Sequence, residues 1–142
     1  GCVRAAHTTP ETWRRIYAAA RIVLSVHFQD PLGTIPCHQA SPRIFEALAC
    51  GAFVVTDRQK DVMALFRDGE HLVTFADGEE LRTKVETYLG CAKERERIAR
   101  NGRTEVLARH TYRHRLAALF DSIDSPVSKR GATSRPTERH AA

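Results

Sequence analysis

Residues 41–57 read Ser-Pro-Arg-Ile-Phe-Glu-Ala-Leu-Ala-Cys-Gly-Ala-Phe-Val-Val-Thr-Asp, and they carry the strongest structural signals in the chain. Ser41 is suited to cap a helix because its hydroxyl can accept from an unpaired first-turn N–H, and Pro42 fits the first helical position. Gly51 can supply the left-handed residue that ends the helix. The Phe-Val-Val-Thr run that follows is typical of a buried parallel strand. This stretch therefore predicts a capped helix followed directly by a strand.

Helices and strands alternate along the rest of the chain. Periodicity and capping signals predict helices at 10–20, 60–67, 77–90, 92–109 and from 111 to about 123, and strands at 21–27, 53–56 and 71–75. Because alternating strands and helices imply right-handed crossovers, we predict an α/β fold, a Rossmann-like parallel sheet with helices on both faces. Gly102 interrupts a predicted helix at a cost of about 1 kcal/mol, so we expect close packing there.

Three strands are fewer than the roughly five or six of a complete doubly wound nucleotide-binding domain. The chain also begins at Gly1 without an initiator Met. We therefore expect it to be the later part of a longer protein, with residues 1–10 as a lead-in and 11–124 as the folded part. Residues 125–142 are expected to be a disordered tail because they are rich in Ser, Thr, Pro and Arg and have little to bury.

Composition narrows the class of protein. With 142 residues, 42% hydrophobic and 27% charged, the chain has room for one globular domain. No apolar run approaches the roughly 20 residues of a membrane span and no secretory pattern is present, so we expect a cytoplasmic protein, with peripheral membrane attachment left open. Much of the net charge of +5 comes from the tail, which holds four Lys or Arg residues and one Glu. We therefore expect no specific nucleic acid partner.

Two charged residues of the predicted helix point to a ligand. Arg43 and Glu46 lie on the same helical face, and an arginine in the first turn is unfavourable at the positive end of the helix dipole unless an anion is near. The alternative is a solvated surface pair between Arg43 and Glu46, which would contribute only about 0.3 kcal/mol and imply no function. The residues alone leave both interpretations open.

Three further segments extend these signals. They are Ile16-Tyr17-Ala18-Ala19-Ala20-Arg21-Ile22-Val23-Leu24, Leu65-Phe66-Arg67-Asp68-Gly69-Glu70-His71 and His110-Thr111-Tyr112. Together with residues 41–57, in this order and spacing, they resemble the C-terminal nucleotide-sugar-binding domain of GT-B-fold glycosyltransferases. The resemblance is especially to the glycosyl transferases group 1 type and its spore-maturation-protein-like branch, over residues 13–123.

The resemblance implies a function and a set of site residues. The protein would transfer a sugar from a nucleotide-diphosphate sugar to an unknown glycan, lipid or protein acceptor, without a metal or cofactor. Glu46 would accept hydrogen bonds from the ribose hydroxyls, and Ser41 and the helix start would lie beside the diphosphate, where Arg43 adds a charged contact. Many retaining members have a glutamate eight residues before the first, where this chain has His38. His38 is thus a candidate donor to the sugar or phosphate, with a merely packed or exposed histidine as the alternative.

The resemblance leaves the catalytic residue unknown and implies that the acceptor domain is missing, so the isolated chain is expected to be inactive. Two other functions stay open. The chain is alternatively a noncatalytic α/β nucleotide-binding or interaction module, which nucleotide binding would test. A third option is nucleic acid binding through the basic tail, which would require steep salt dependence.

Overall fold

The computed structural model describes residues 9–28 and 38–124. The helices are α1 (Pro10–Ala19), α2 (Pro42–Ala49), α3 (Lys60–Leu65), α4 (Gly78–Gly90), α5 (Ala92–Arg109) and α6 (Tyr112–Asp124), and the strands are β1 (Val23–Ser25), β2 (Val54–Asp57) and β3 (Val73–Phe75). Every predicted element is present. Most of the lead-in, residues 29–37 and the tail at 125–142 lie outside the described residues.

The first strand is shorter than predicted. It ends at Ser25 and not at His27, because the His27 backbone N–H donates to the Asp57 side chain at 2.9 Å and not to a neighbouring strand. The three strands form a parallel sheet in the order β1-β2-β3, with Val23 opposite Val54 and Val55 opposite Val73. The prediction of a parallel sheet is therefore confirmed.

Helices cover both faces of this sheet. On one face the core consists mainly of Ile44, Phe45, Leu48, Val54, Val62, Phe66, Leu72 and Val106. On the other face it consists of Phe53, Val55, Val73, Phe75, Ile98 and Ala99, with Leu81 and Tyr88 packed against it. Burying such a side chain stabilises by roughly 1.5–3 kcal/mol, whereas an exposed ion pair contributes at most about 1 kcal/mol. The two clusters therefore hold the fold together, and the predicted α/β class is confirmed.

Helix α5 packs closely against the body at the predicted glycine. A Cβ atom at Gly102 would lie 2.2 Å from the His71 carbonyl oxygen and 2.7 Å from a Leu48 methyl carbon. Gly102 is buried inside α5, so its lack of a side chain lets α5 approach α2 and the chain before β3. The expectation of close packing at Gly102 is confirmed.

Residues through Thr111 form one compact unit, and α6 belongs to a second. Four apolar residues along α6 are each at least half exposed, namely Tyr112, Leu116, Phe120 and Ile123. Within the described ranges, none of the helices combines the length and the apolar character needed to cross a lipid bilayer.

Candidate functional site

The start and end of α2 have the predicted geometry. The Ser41 hydroxyl accepts a hydrogen bond from the Arg43 backbone N–H at 3.4 Å, and Pro42 occupies the first helical position. Gly51 adopts a φ of 78°, the left-handed conformation that glycine reaches without strain, just after the last turn. Both helix ends are thus fixed by local sequence, and α2 begins at the carboxyl end of the sheet.

A buried polar cluster joins β1, β2 and the start of α2, and we call it the carboxyl-end cluster. It consists of His27, Ser41, Asp57 and Gln59. His27 Nδ1 lies 2.7 Å from Asp57 Oδ1, and the Gln59 side-chain amide donates to Asp57 Oδ2 at 2.5 Å. The Ser41 backbone N–H donates to His27 Nε2 at 2.9 Å. Parallel strands bring their carboxyl ends to one edge of a sheet, which is where open α/β sheets bind ligands.

The hydrogen bonds assign the tautomer of His27. Since Nε2 accepts from the Ser41 N–H, the ring proton lies on Nδ1 and is donated to Asp57. The side chains of His27 and Asp57 are 1% and 3% exposed. A general base needs a free nitrogen within reach of the substrate, and here both ring nitrogens are occupied. The pair therefore serves as a structural link and not as a proton acceptor.

The environment of Asp57 keeps its carboxyl group ionised. Burial raises the pKa of Asp57, but hydrogen bonds from the Gln59 amide and from the ring and backbone N–H of His27 outweigh burial and hold the pKa below its usual value. Gln59 occupies the N-cap position of α3 but makes no capping side-chain hydrogen bond, and its NH2 group donates to Asp57. The role of Gln59 in the cluster is therefore to satisfy a buried carboxylate.

Replacing Asp57 with asparagine is expected to lower stability by roughly 1.5–3 kcal/mol at pH 7, the usual worth of hydrogen bonds to a charged group. Because the folded pKa lies below the unfolded one, the ionised form stabilises the protein above the ordinary carboxyl pKa of about 3.9, and this contribution is lost as the pH falls through that range. The difference in melting temperature between wild type and Asp57→Asn should therefore stay constant from pH 7 to about 5 and shrink as the pH falls from there to about 3. A difference that stays constant over this whole range would show that Asp57 is not the titrating group.

Glu46 lies in an open groove between α1 and α2. The groove is lined by Glu11, Trp13, Arg14, Arg15, Ala18, Glu46, Ala49, Cys50, Gly51 and Arg103. Trp13 and Tyr17 of α1 pack edge to face with ring centroids 5.4 Å apart, while Ile16 of the same helix is 53% exposed. The large apolar residues of α1 are therefore only partly buried, and Trp13 lines the groove.

Arg43 and Glu46 are neighbours without being an ion pair. Burial raises the pKa of the Tyr17 phenol, the nearby Glu46 carboxylate raises it further, and Arg43 opposes the shift, so both charges act on one phenol. Among the described residues, the ion pairs join other partners. The surface pair between Arg43 and Glu46 that offered an alternative to a ligand is thus absent from this part of the chain.

The start of α2 offers few free backbone donors. The Ser41 N–H is used by His27, Pro42 has no N–H, and the Ile44 N–H donates to the Ser41 carbonyl at 3.0 Å. The Arg43 N–H has only the long bond to the Ser41 hydroxyl. An anion here would therefore meet mainly the Arg43 side chain and its N–H. His38 is exposed, three residues before Ser41.

Sequence reasoning missed His27, Asp57 and Gln59. A usable signal was present, since a polar, titratable residue lies at or just after the end of each of two consecutive strands, and parallel strands place these ends side by side. The contact itself is not local, because His27 and Asp57 are 30 residues apart. Among the predicted site residues, Ser41 is joined to the cluster, whereas Arg43 and Glu46 lie farther along α2.

The chain is similar to known proteins in sequence and in fold. The glycosyl transferase-like family matches residues 1–121 of the chain. No curated protein matches it.

A solved structure shares the fold. It is the crystal structure of Alr3699/HepE from Anabaena in complex with UDP-glucose, which superposes with a TM-score of 0.62 at 19% sequence identity. The match covers 77% of this chain and 29% of the Anabaena chain. At this identity the likeness supports the fold, and the chain spans less than a third of the protein that it matches.

Proposed function

The chain belongs to the glycosyl transferase-like family, and on that premise we propose that it forms the donor-binding part of a glycosyltransferase that uses a nucleotide-diphosphate sugar. The observation that carries this proposal is the position of Glu46. Its carboxylate forms no ion pair with a described residue and lines an open groove, on a helix whose start is fixed at the carboxyl end of the sheet. An ionised carboxylate offers only acceptors, which suits two adjacent ribose hydroxyls.

The geometry of α2 suits a nucleoside diphosphate. A helix rises about 1.5 Å per residue, so Glu46 lies roughly 7.5 Å along the axis from Ser41. A ribose bound at Glu46 would therefore leave its diphosphate near Arg43, whose guanidinium and backbone N–H suit an anion. We assign Glu46 to the ribose, Arg43 and Ser41 to the diphosphate region and His38 to the sugar or phosphate. Since the Anabaena structure was solved with UDP-glucose, UDP-sugars are the first donors to test.

Several finer features belong to the same proposal. Transfer proceeds without a metal or cofactor, so an excess of chelator should leave it unchanged. The enzyme acts in the cytoplasm, and the spore-maturation-protein-like branch remains the predicted subgroup. The acceptor is a glycan, a lipid or a protein, and the acceptor-binding part lies outside these 142 residues. The chain alone should therefore show no transfer from any nucleotide sugar. Turnover by the isolated chain would refute the proposal that acceptor binding requires a part outside it.

Calorimetric titration of the full-length protein with UDP, GDP, ADP and their glucose derivatives tests the function. We expect one base to bind in preference to the others, with the diphosphate and its sugar derivative sharing the site. If none of the nucleotides binds, the chain is the noncatalytic interaction module that shares only the scaffold. DNA or RNA binding that falls steeply with salt would instead favour the basic tail as the functional element.

A further inference from the structure

We infer that His27 is a positioning residue of the proposed donor site, and that it acts through the lone pair on Nε2. In this role it fixes residues 38–41 and the start of α2, and thereby places His38 and Arg43 toward the donor. The inference rests on the proposed function, since it names the group that holds that site in place. His27 itself contacts neither the groove nor solvent.

The His27 ring is held on both sides. Asp57 accepts the Nδ1 proton at 2.7 Å, and Asp57 is itself fixed by Gln59 at 2.5 Å. The ring therefore cannot rotate without breaking a buried charged hydrogen bond. The other ring nitrogen, Nε2, accepts a hydrogen bond from the Ser41 N–H at 2.9 Å. Ser41 lies 14 positions later in the chain. This bond ties the end of β1 directly to the residue that caps α2.

The hydrogen bond from the Ser41 N–H to His27 affects the orientation of the segment that enters α2 more than the folding of the protein. Helix α2 is anchored in the core by Ile44, Phe45 and Leu48, which are buried whether or not Ser41 is held. Ala40 packs only partly against that core. Loss of the Ser41 bond should therefore loosen the segment that enters α2 and the first turn of the helix, while its buried residues stay packed. His38 lies in that segment and Arg43 in that first turn, and both are exposed, so the position of His38 depends on the bond most directly.

Two isosteric substitutions separate the roles of the two ring nitrogens. In His27→Asn the side-chain amide can reach Asp57 in place of Nδ1 but leaves the Ser41 N–H without an acceptor. In His27→Gln the amide oxygen can accept from the Ser41 N–H in place of Nε2, but the side-chain hydrogen bond to Asp57 is lost. Each variant removes one buried hydrogen bond, so a purely structural role predicts that nucleotide affinity follows stability in both.

We expect the affinity of the full-length protein for the nucleotide found by titration, UDP in the first instance, to fall about tenfold in His27→Asn and to stay within about threefold in His27→Gln. The melting temperature should fall in both, and hydrogen exchange at the Ser41 amide should speed up only in His27→Asn. Equal affinities in the two variants, or losses that follow melting temperature, would overturn the inference while leaving nucleotide binding intact. A wild type that binds no nucleotide would remove both the function and the positioning role.

A second pair tests the same bond from the side of Ser41, should the His27 variants fail to fold. Ser41→Ala removes the capping hydroxyl and keeps the N–H, whereas Ser41→Pro removes both. The φ of −60° at Ser41 is compatible with proline, so the backbone need not change there. The proline variant should bind the nucleotide about tenfold more weakly than the alanine variant. Equal binding by the two would contradict a role for the N–H.

Discussion

Alanine at position 102 is expected to destabilise the protein by about 3 kcal/mol or more, the upper end of the effect of overpacking a core. The added methyl would lie 2.2 Å from the His71 carbonyl oxygen and 2.7 Å from a Leu48 methyl carbon. The leucine can change rotamer, but the carbonyl belongs to the backbone that leads into β3. Either α5 or the sheet must therefore move, and the movement disturbs both core clusters, since α5 contributes Val106 to one and Ile98 to the other.

A matched glycine gives the control. Gly90 lies in α4, and a methyl group added there would have no heavy atom of another part of the chain within 4 Å. Alanine at this position should be neutral or stabilise by up to about 1 kcal/mol through helix propensity. Urea unfolding of wild type, Gly102→Ala and Gly90→Ala compares the two sites directly. A Gly102→Ala protein as stable as wild type would mean that α5 does not pack as closely as the structure shows.

Glutamine at position 46 is expected to weaken nucleotide binding by about ten- to a hundredfold. The substitution preserves shape and removes the charge, and hydrogen bonds to a charged group are worth roughly 1.5–3 kcal/mol. Stability should change little, because Glu46 is only partly buried and forms no ion pair with a described residue. The Glu46→Gln variant is therefore expected to lose nucleotide affinity while its stability stays nearly unchanged.

The matched control for that charge is Glu86 on α4. Its carboxylate is exposed and lies 3.2 Å from Arg82 as an i, i+4 pair. Glu86→Gln removes the same charge from the protein at a distance from the groove, and it should cost no more than about 0.5 kcal/mol of stability with no change in binding. A similar loss of nucleotide affinity in both variants would indicate a general effect of net charge.

The sequence predicted those parts of the fold that local chemistry determines. The cap at Ser41, the left-handed Gly51 and the close approach at Gly102 each follow from the conformational limits of one residue type. The parallel sheet followed from the alternation of strands and helices. These features need no knowledge of which distant residues meet.

The carboxyl-end cluster could not be predicted in this way. His27 meets Asp57 only because β1 and β2 pair in parallel, and Ser41 joins them after a segment that includes residues outside the described part of the chain. The use of the Ser41 N–H by His27 also changed the expected chemistry, since the start of α2 offers fewer free donors than an isolated helix. The extent to which the apolar faces of α1 and α6 are buried likewise depends on partners that periodicity does not reveal.

The most direct test of donor binding is calorimetric titration of full-length wild type and Glu46→Gln with UDP and UDP-glucose, with Glu86→Gln as the control. If another base proves to be preferred, the same titration uses that nucleotide. We expect wild type and Glu86→Gln to bind alike and Glu46→Gln to bind about ten- to a hundredfold more weakly, with unchanged melting temperature. Equal affinities for wild type and Glu46→Gln would remove Glu46 from the site and contradict the proposed mode of donor binding.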